Sequence, residues 1–163
     1  MNLFPAIAVF ATLIAPAALA QTTPTAPIVK GTGLPLADTE EAAVLAPITA
    51  IFAALEAGDK EALLRHVYPD GRVTAVGDGK VRQHSFTQFA ERVSPQNAFK
   101  ERIWNPAIDI DGDIAMVWAP YDVRVAGTLS NCGIDHFDLV RENGAWKVMN
   151  ITFSSRTTGC AGQ

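Results

Sequence analysis

The stretch NCGIDHFDLVRENGAWKVMNITF, residues 131–153, decides the fold of this chain. It contains two runs rich in β-branched and aromatic residues, which favour strands. Asn143-Gly144 joins the runs, and this dipeptide strongly favours a two-residue hairpin turn. The stretch therefore predicts the closing hairpin of an antiparallel sheet. Cys132 stands at its start and Cys160 follows it, and the chain has no other cysteine.

Both faces of the predicted hairpin are apolar, whereas a sheet with one face in water alternates more cleanly. One face would carry Ile134, Val140, Met149, Ile151 and Phe153, and the other Phe137, Leu139, Trp146 and Val148. We therefore expect helices to cover one face and a second copy of the chain to cover the other, which makes the protein a homodimer.

Two helical patterns open the domain. Residues 38–58 carry apolar residues at helical spacing, with Asp38 and Glu41 spaced as a capping box and Gly58 at the end. Residues 59–68 predict a second, shorter helix that Pro69 stops.

After the second helix, the sequence predicts a short hairpin, a third helix and then strands only. A short hairpin is predicted around residues 77–79, and Ser85 with Gln88 predicts a capping box that opens a third helix. After Pro95 the pattern is that of strands only. Helices followed by a long antiparallel meander indicate an α+β fold.

The N-terminus predicts export. Residues 1–20 are apolar and end in Ala18-Leu19-Ala20, as a signal peptide with its cleavage site does, although a retained membrane anchor is the alternative. Residues 21–37 predict a flexible Pro/Thr-rich leader, and residues 38–160 one domain. We expect a periplasmic or secreted protein, in which Cys132 and Cys160 form a disulfide rather than two separate thiols.

Composition excludes several classes of partner. The formal net charge is −4 and no basic cluster occurs, which argues against nucleic acid and against membrane binding after signal cleavage. Two cysteines without a neighbouring His or Cys pair do not make a zinc set. We expect no metal and no cofactor.

The order of these elements, with GDKEALL at residues 58–64, Tyr68 and GAWKV at residues 144–148, resembles the nuclear transport factor 2-like superfamily. The likeness is greatest to exported SnoaL-like and lumazine-binding-like members. It implies a cone-shaped, curved antiparallel sheet wrapped around three N-terminal helices, with a pocket in the cone. These motifs are specific for fold rather than for function.

The resemblance also implies that the catalytic residues of one enzyme group in the superfamily are missing from this chain. It places the general base of the ketosteroid isomerases at Ala75, their oxyanion-hole tyrosine at Ile51, and their protonated carboxylic acid near His136. Enolisation needs a base at the substrate carbon and donors at the developing oxyanion. We expect no isomerase activity by that mechanism.

Assumed turns at Asp111-Gly112 and Asn143-Gly144, with a symmetric loop at residues 126–131, predict two rows of side chains across the sheet. One row would contain Arg102, Tyr121, His136 and Ile151, and the other Trp104, Ala119, Asp138 and Met149. The predicted ligand-binding residues are Arg102, Trp104, Tyr121, His136, Met149 and Ile151. A slip of one residue would instead turn Trp118, Asp135, Phe137 and Asn150 inward.

Three functions fit these patterns. The first is an exported small-molecule-binding domain whose apolar pocket holds a small apolar or aromatic ligand. The second is a SnoaL-like hydrolase, dehydratase or isomerase with His136 and Tyr121 as candidate catalytic acid and base, although His136 could instead be a structural residue paired with Asp135 or Asp138. The third is a dimeric interaction module.

Overall fold

The computed structural model describes residues 39–160, so the predicted signal peptide and leader lie outside the described residues. The helices are α1 (Glu40–Ala57), α2 (Lys60–Leu64) and α3 (Phe86–Ala90), with a 3₁₀ turn at Pro95–Asn97. The strands are β1 (Val67–Gly77), β2 (Lys80–Ser85), β3 (Lys100–Ile103), β4 (Ala107–Asp111), β5 (Ile114–Val125), β6 (Thr128–Glu142) and β7 (Ala145–Ser154). No helix within this part of the chain is long and apolar enough to cross a membrane.

Local capping sets the ends of the helices. The cap of α1 is Thr39, whose side chain accepts the N–H of Ala42, so the predicted cap at Asp38 is wrong. Gly58 ends α1 with a φ of 68°, and a Cβ there would collide with the backbone of Ser94 and Pro95. The capping box predicted for Ser85 and Gln88 is confirmed.

The seven strands form one sheet in the order β2-β1-β7-β6-β5-β3, with β4 also paired to β5. Neighbouring strands are antiparallel except for β1 and β7, which are parallel, so the sheet is mixed and not wholly antiparallel as predicted. The predicted α+β fold, a curved sheet wrapped around helices, is confirmed.

The core lies between the helices and the inner face of the sheet. Val44, Ile48 and Ile51 of α1 belong to one buried cluster with Leu63 of α2 and Phe86 of α3. The sheet contributes Val117, Phe137, Leu139 and Val148 to the same cluster. Because side chains alternate along a strand, the neighbours of these residues on β5 and β6, Trp118, His136 and Asp138, point to the outer face.

Two irregularities beside β4 shift the strand register away from the predicted one. The turn between β4 and β5 is Gly112-Asp113, since Asp111 pairs with Ile114. Asn105, with a φ of 45°, precedes Pro106 and separates β3 from β4, so that Arg102 pairs with Asp122. The predicted pairing of Arg102 with Tyr121 is therefore wrong.

The connection between β5 and β6 is much shorter than predicted. Ala126 and Gly127, both with positive φ, form a two-residue turn, and Ser130 is left unpaired as a bulge. Tyr121 consequently pairs with Gly133 instead of His136.

The closing hairpin turns where the sequence predicts, because Glu142 pairs with Ala145 across Asn143-Gly144. A bulge at Met149 then moves the register by one residue, and His136 pairs with Thr152 instead of Ile151. Together with the changes on either side of β5, this bulge makes the two predicted rows wrong. Of the residues named for a one-residue slip, Asp135 and Phe137 face inward, whereas Trp118 and Asn150 face outward.

The predicted disulfide between Cys132 and Cys160 is confirmed, with the two Cα atoms 5.7 Å apart. Two backbone hydrogen bonds of 3.0 Å between Cys132 and Arg156 hold the segment after β7 against β6. The bridge closes a loop with a sequence separation of 28 residues. Closing a loop of this length stabilises the fold by about 3–4 kcal/mol in the chain-entropy treatment.

Candidate functional site

A cavity of about 290 Å³ lies between the three helices and the inner face of the sheet. Its wall is mainly apolar, and six phenylalanines dominate it: Phe52, Phe86, Phe89, Phe99, Phe137 and Phe153. Aliphatic side chains, among them Ile51 and Ile151, complete the wall. Such a lining favours the burial of an apolar or aromatic molecule.

Local structure places these rings. The capping box at Ser85 starts α3, and this short helix turns both Phe86 and Phe89 toward the cavity. Phe52 of α1 meets Phe137 of β6 edge to face, with ring centroids 6.2 Å apart. The exposed members of the lining, Val125 and Ser130, lie at the turn between β5 and β6, so the cavity opens at that end.

Two carboxyl groups lie in the wall. Glu101 extends from β3 and Asp135 from β6, and their side chains hydrogen-bond each other. Asp135 is only 1% exposed, and its Oδ2 has no hydrogen-bond partner within residues 39–160. An unpartnered buried oxygen is rare in folded proteins, which marks Asp135 as a candidate site residue.

Burial sets the protonation of this pair. It raises the pKa of Glu101 to about 8, with the hydrogen bond from Asp135 opposing the shift. Burial raises the pKa of Asp135 well above its usual value, and the charge and hydrogen bond of Glu101 raise it further. Since neither carboxyl ionises readily, the pair retains at least one proton at neutral pH.

Tyr121 stands beside the carboxyl pair and is almost fully buried. Its hydroxyl lies 2.9 Å from Asn131 Oδ1 and 3.0 Å from the carbonyl oxygen of Ser154. A phenol has one proton and donates to one of these acceptors at a time. Burial raises the pKa of Tyr121, and the charges of Asp135 and Glu101 add to this, so the phenol stays protonated.

The structure brings only two of the six predicted ligand-binding residues to the cavity, Tyr121 and Ile151. Arg102 lies on the outer face and makes a two-pronged ion pair with Asp122, with Nε–Oδ1 at 2.9 Å and Nη2–Oδ2 at 2.6 Å. Trp104 lies beside the guanidinium of Arg102, whose Cζ is 5.8 Å from the centre of the indole.

His136 and Met149 also lie outside the cavity. The ring of His136 is 5.8 Å from that of Trp118, and its Nε2 is 3.5 Å from Oδ1 of Asp138. Met149 lines a depression on the outer face together with Asp138. His136 and Tyr121 therefore lie on opposite faces of the sheet, so the structure does not bring the two candidate catalytic residues together.

The sequence pattern does not mark Glu101, and it indicates Asp135 only as a possible partner of His136 or as an inward-facing residue after a register slip. Glu101 lies between Lys100 and Arg102, a pattern typical of an exposed strand, so nothing marked it. Asp135 did carry a signal, because it shares the face of Phe137 and Leu139, which the helices cover.

Within residues 39–160, no group of three or more His, Cys, Asp or Glu side chains is arranged to hold a metal ion.

Comparisons with known proteins agree on the fold. A family model described as "Putative lumazine-binding" matches residues 39–154. A nuclear transport factor 2-like protein from Cytophaga hutchinsonii superposes with a TM-score of 0.62 at 16% identity, covering 72% of this chain and 99% of its own. The predicted resemblance to that superfamily is confirmed.

Two further solved structures share the fold. A protein from Shewanella frigidimarina described as a "putative ketosteroid isomerase" gives a TM-score of 0.53 at 19% identity, covering 69% of this chain and 94% of its own. A "Putative calcium/calmodulin dependent protein kinase II association domain" from Xanthomonas campestris gives 0.58 at 22% identity, covering 80% and 97%. At these identities the likeness shows the fold alone. Among curated proteins, no sequence matches the chain.

The carboxyl pair predicts how stability depends on pH. In the unfolded chain both carboxyls ionise near pH 4, whereas the folded pair holds its proton to higher pH. The free energy of unfolding should therefore fall as the pH rises from about 5 to about 8, by about 1.4 kcal/mol per pH unit for each proton retained. Urea unfolding over this pH range measures the slope.

Glu101→Gln should flatten the slope, because the amide does not titrate. Glu91→Gln, at an exposed position, serves as the control and should keep the wild-type slope. An unchanged slope in Glu101→Gln would show that Glu101 does not cause the pH dependence and would contradict this prediction.

Proposed function

The chain belongs to the "Putative lumazine-binding" family, and from this premise we propose that it binds a small molecule in the cavity between its helices and its sheet. The observation that carries the proposal is the cavity itself, about 290 Å³ in volume, walled by six phenylalanines and with its ionisable groups confined to Glu101, Tyr121 and Asp135. Small-molecule sites commonly combine apolar walls with few polar groups that orient the ligand. The ligand is therefore mainly apolar or aromatic and carries one polar end.

The geometry favours binding over the acid–base chemistry considered for His136 and Tyr121. The two side chains lie on opposite faces of the sheet and cannot act on one substrate. Ile51 lines the cavity with a side chain that donates no hydrogen bond, and this is the position that the superfamily resemblance gives to the isomerase tyrosine.

Filling the cavity should abolish binding. Ile151→Trp adds an indole to the wall, whereas Val81→Trp adds the same group at a position that is 69% exposed and outside the lining. We expect Ile151→Trp to weaken the binding of the neutral fluorophore N-phenyl-1-naphthylamine by about tenfold or more, and Val81→Trp to leave it unchanged.

Fluorescence titration measures both affinities, and circular dichroism checks that the two variants are folded. Native mass spectrometry of the purified protein before and after denaturation would reveal a carried ligand as lost mass. Equal affinities in Ile151→Trp and the wild type would place binding outside the cavity and contradict the proposal.

We also propose that the protein is exported. A disulfide such as Cys132–Cys160 persists in oxidising compartments and is rare in the cytosol, and residues 1–20 have the composition of a signal peptide. The mature protein should begin at Gln21. Intact-mass measurement of the periplasmic or secreted fraction tests this, and a chain recovered only from the cytosol with Met1 retained would refute it.

A second copy of the chain is the partner we propose for the outer face of the sheet. Trp118 is 46% exposed there and Ile114 is also exposed, and exposed large apolar side chains mark interaction surfaces. The Xanthomonas campestris relative is described as an association domain, which agrees with a role of this fold in assembly.

Trp118→Arg should convert the dimer to a monomer, because two copies would bury like charges against each other. Sedimentation equilibrium measures the mass, and Ala53→Arg on the exposed side of α1 is the control that should stay dimeric. A wild-type monomer at all concentrations, or a dimer in Trp118→Arg, would exclude this interface.

A further inference from the structure

The charges inside the cavity are of one sign. Glu101 and Asp135 are its ionisable acids and Tyr121 stays neutral, while no Lys, Arg or His of residues 39–160 lines the wall. Arg102, next to Glu101 in sequence, points to the outer face and is paired with Asp122. A negative charge on either carboxyl would thus have no cation beside it in the cavity wall.

The pair also offers more acceptors than donors. When one proton is shared in the hydrogen bond between the two carboxyls, the remaining oxygens can only accept. Asp135 Oδ2 is such an oxygen, and it is buried, unpartnered and part of a cavity-lining side chain. Leaving a buried acceptor unpaired is costly, so a ligand that donates to it gains affinity.

The apolar wall favours the same kind of ligand. The faces of aromatic rings carry negative charge density and attract cations, and six phenylalanines surround the cavity. An anionic ligand would be repelled once either carboxyl ionises and would have no cationic side chain in the wall to compensate.

We propose that the cavity selects a lipophilic amine, with an alkyl or aryl body among the phenylalanines and an ammonium group that donates to Asp135. This inference rests on the proposed function, namely that the cavity binds a small molecule. It goes further because it states the charge and the hydrogen-bonding character of the ligand.

Binding should release a proton to the solvent. The ammonium favours the singly ionised pair over the neutral pair, so a pair that holds two protons loses one to the buffer and keeps the other between Glu101 and Asp135. The other titratable or charged groups near the pair are Tyr121 on β5 and Arg156 in the segment after β7, and the helices contribute only apolar residues to the wall. Affinity for an amine should therefore rise from about pH 6 to pH 8.

Four probes with similar bodies and different polar ends test the proposal: 4-phenylbutylamine, 4-phenyl-1-butanol, 4-phenyl-2-butanone and 4-phenylbutyrate. Calorimetric titration at pH 7 should give the amine an affinity at least about tenfold above that of the ketone and the carboxylate. Repeating the amine titration in buffers of different ionisation enthalpy counts the released proton.

Asp135→Asn should remove the preference for the amine and the proton release together. Asp138→Asn is the matched control, since Asp138 lies on the same strand but on the outer face, and it should behave as the wild type. Glu101→Gln, on a different strand, should reduce the preference as well, so the result does not depend on the folding of one variant.

The possible outcomes distinguish failure of the selection of amines from failure of small-molecule binding itself. A ketone that binds more tightly than the amine, or four equal affinities, would overturn the selection of amines and leave the binding function standing. Failure of all four probes overturns the selection of amines. If N-phenyl-1-naphthylamine also fails to bind, the proposed function falls with it.

Discussion

The packing of Phe137 and Leu139 against the helices is the constraint on which the site depends. Side chains alternate along β6, so burying these two residues obliges Asp135 to face inward. Burying each large apolar side chain contributes about 1.5–3 kcal/mol. The cost of burying the carboxyl is limited because Asp135 keeps its hydrogen bond to Glu101 and the pair keeps a proton. Apolar burial therefore outweighs the penalty and leaves an acid inside an apolar cavity.

The two faces of the sheet consequently have different chemistry. Inside, desolvation raises the pKa values of the carboxyls and makes a neutral or singly charged pair the stable form. Outside, Asp122 is also buried, yet the guanidinium of Arg102 lowers its pKa and keeps it ionised. The same residue type thus serves as a structural ion-pair partner on one face and as a candidate ligand contact on the other.

Segments held by local interactions could be predicted from the sequence, whereas the site could not. The capping box at Ser85, the end of α1 at Gly58 and the turn at Asn143-Gly144 all act through neighbours in the chain, and all three are observed. Only Tyr121 and Ile151 of the predicted ligand-binding residues line the cavity, because bulges such as those at Met149 and Ser130 change which side chains face inward without a recognisable sequence signal.

The sequence by itself determined the α+β class, the order of the elements and the disulfide, since periodicity, turn residues and two cysteines specify these directly. Only the tertiary structure decided the site. Glu101 and Asp135 are far apart in the chain and meet across β5 because β3, β5 and β6 pair in a particular register. A shift of one residue reverses every side chain on a strand, so the packing of the whole sheet determines which residues line the cavity.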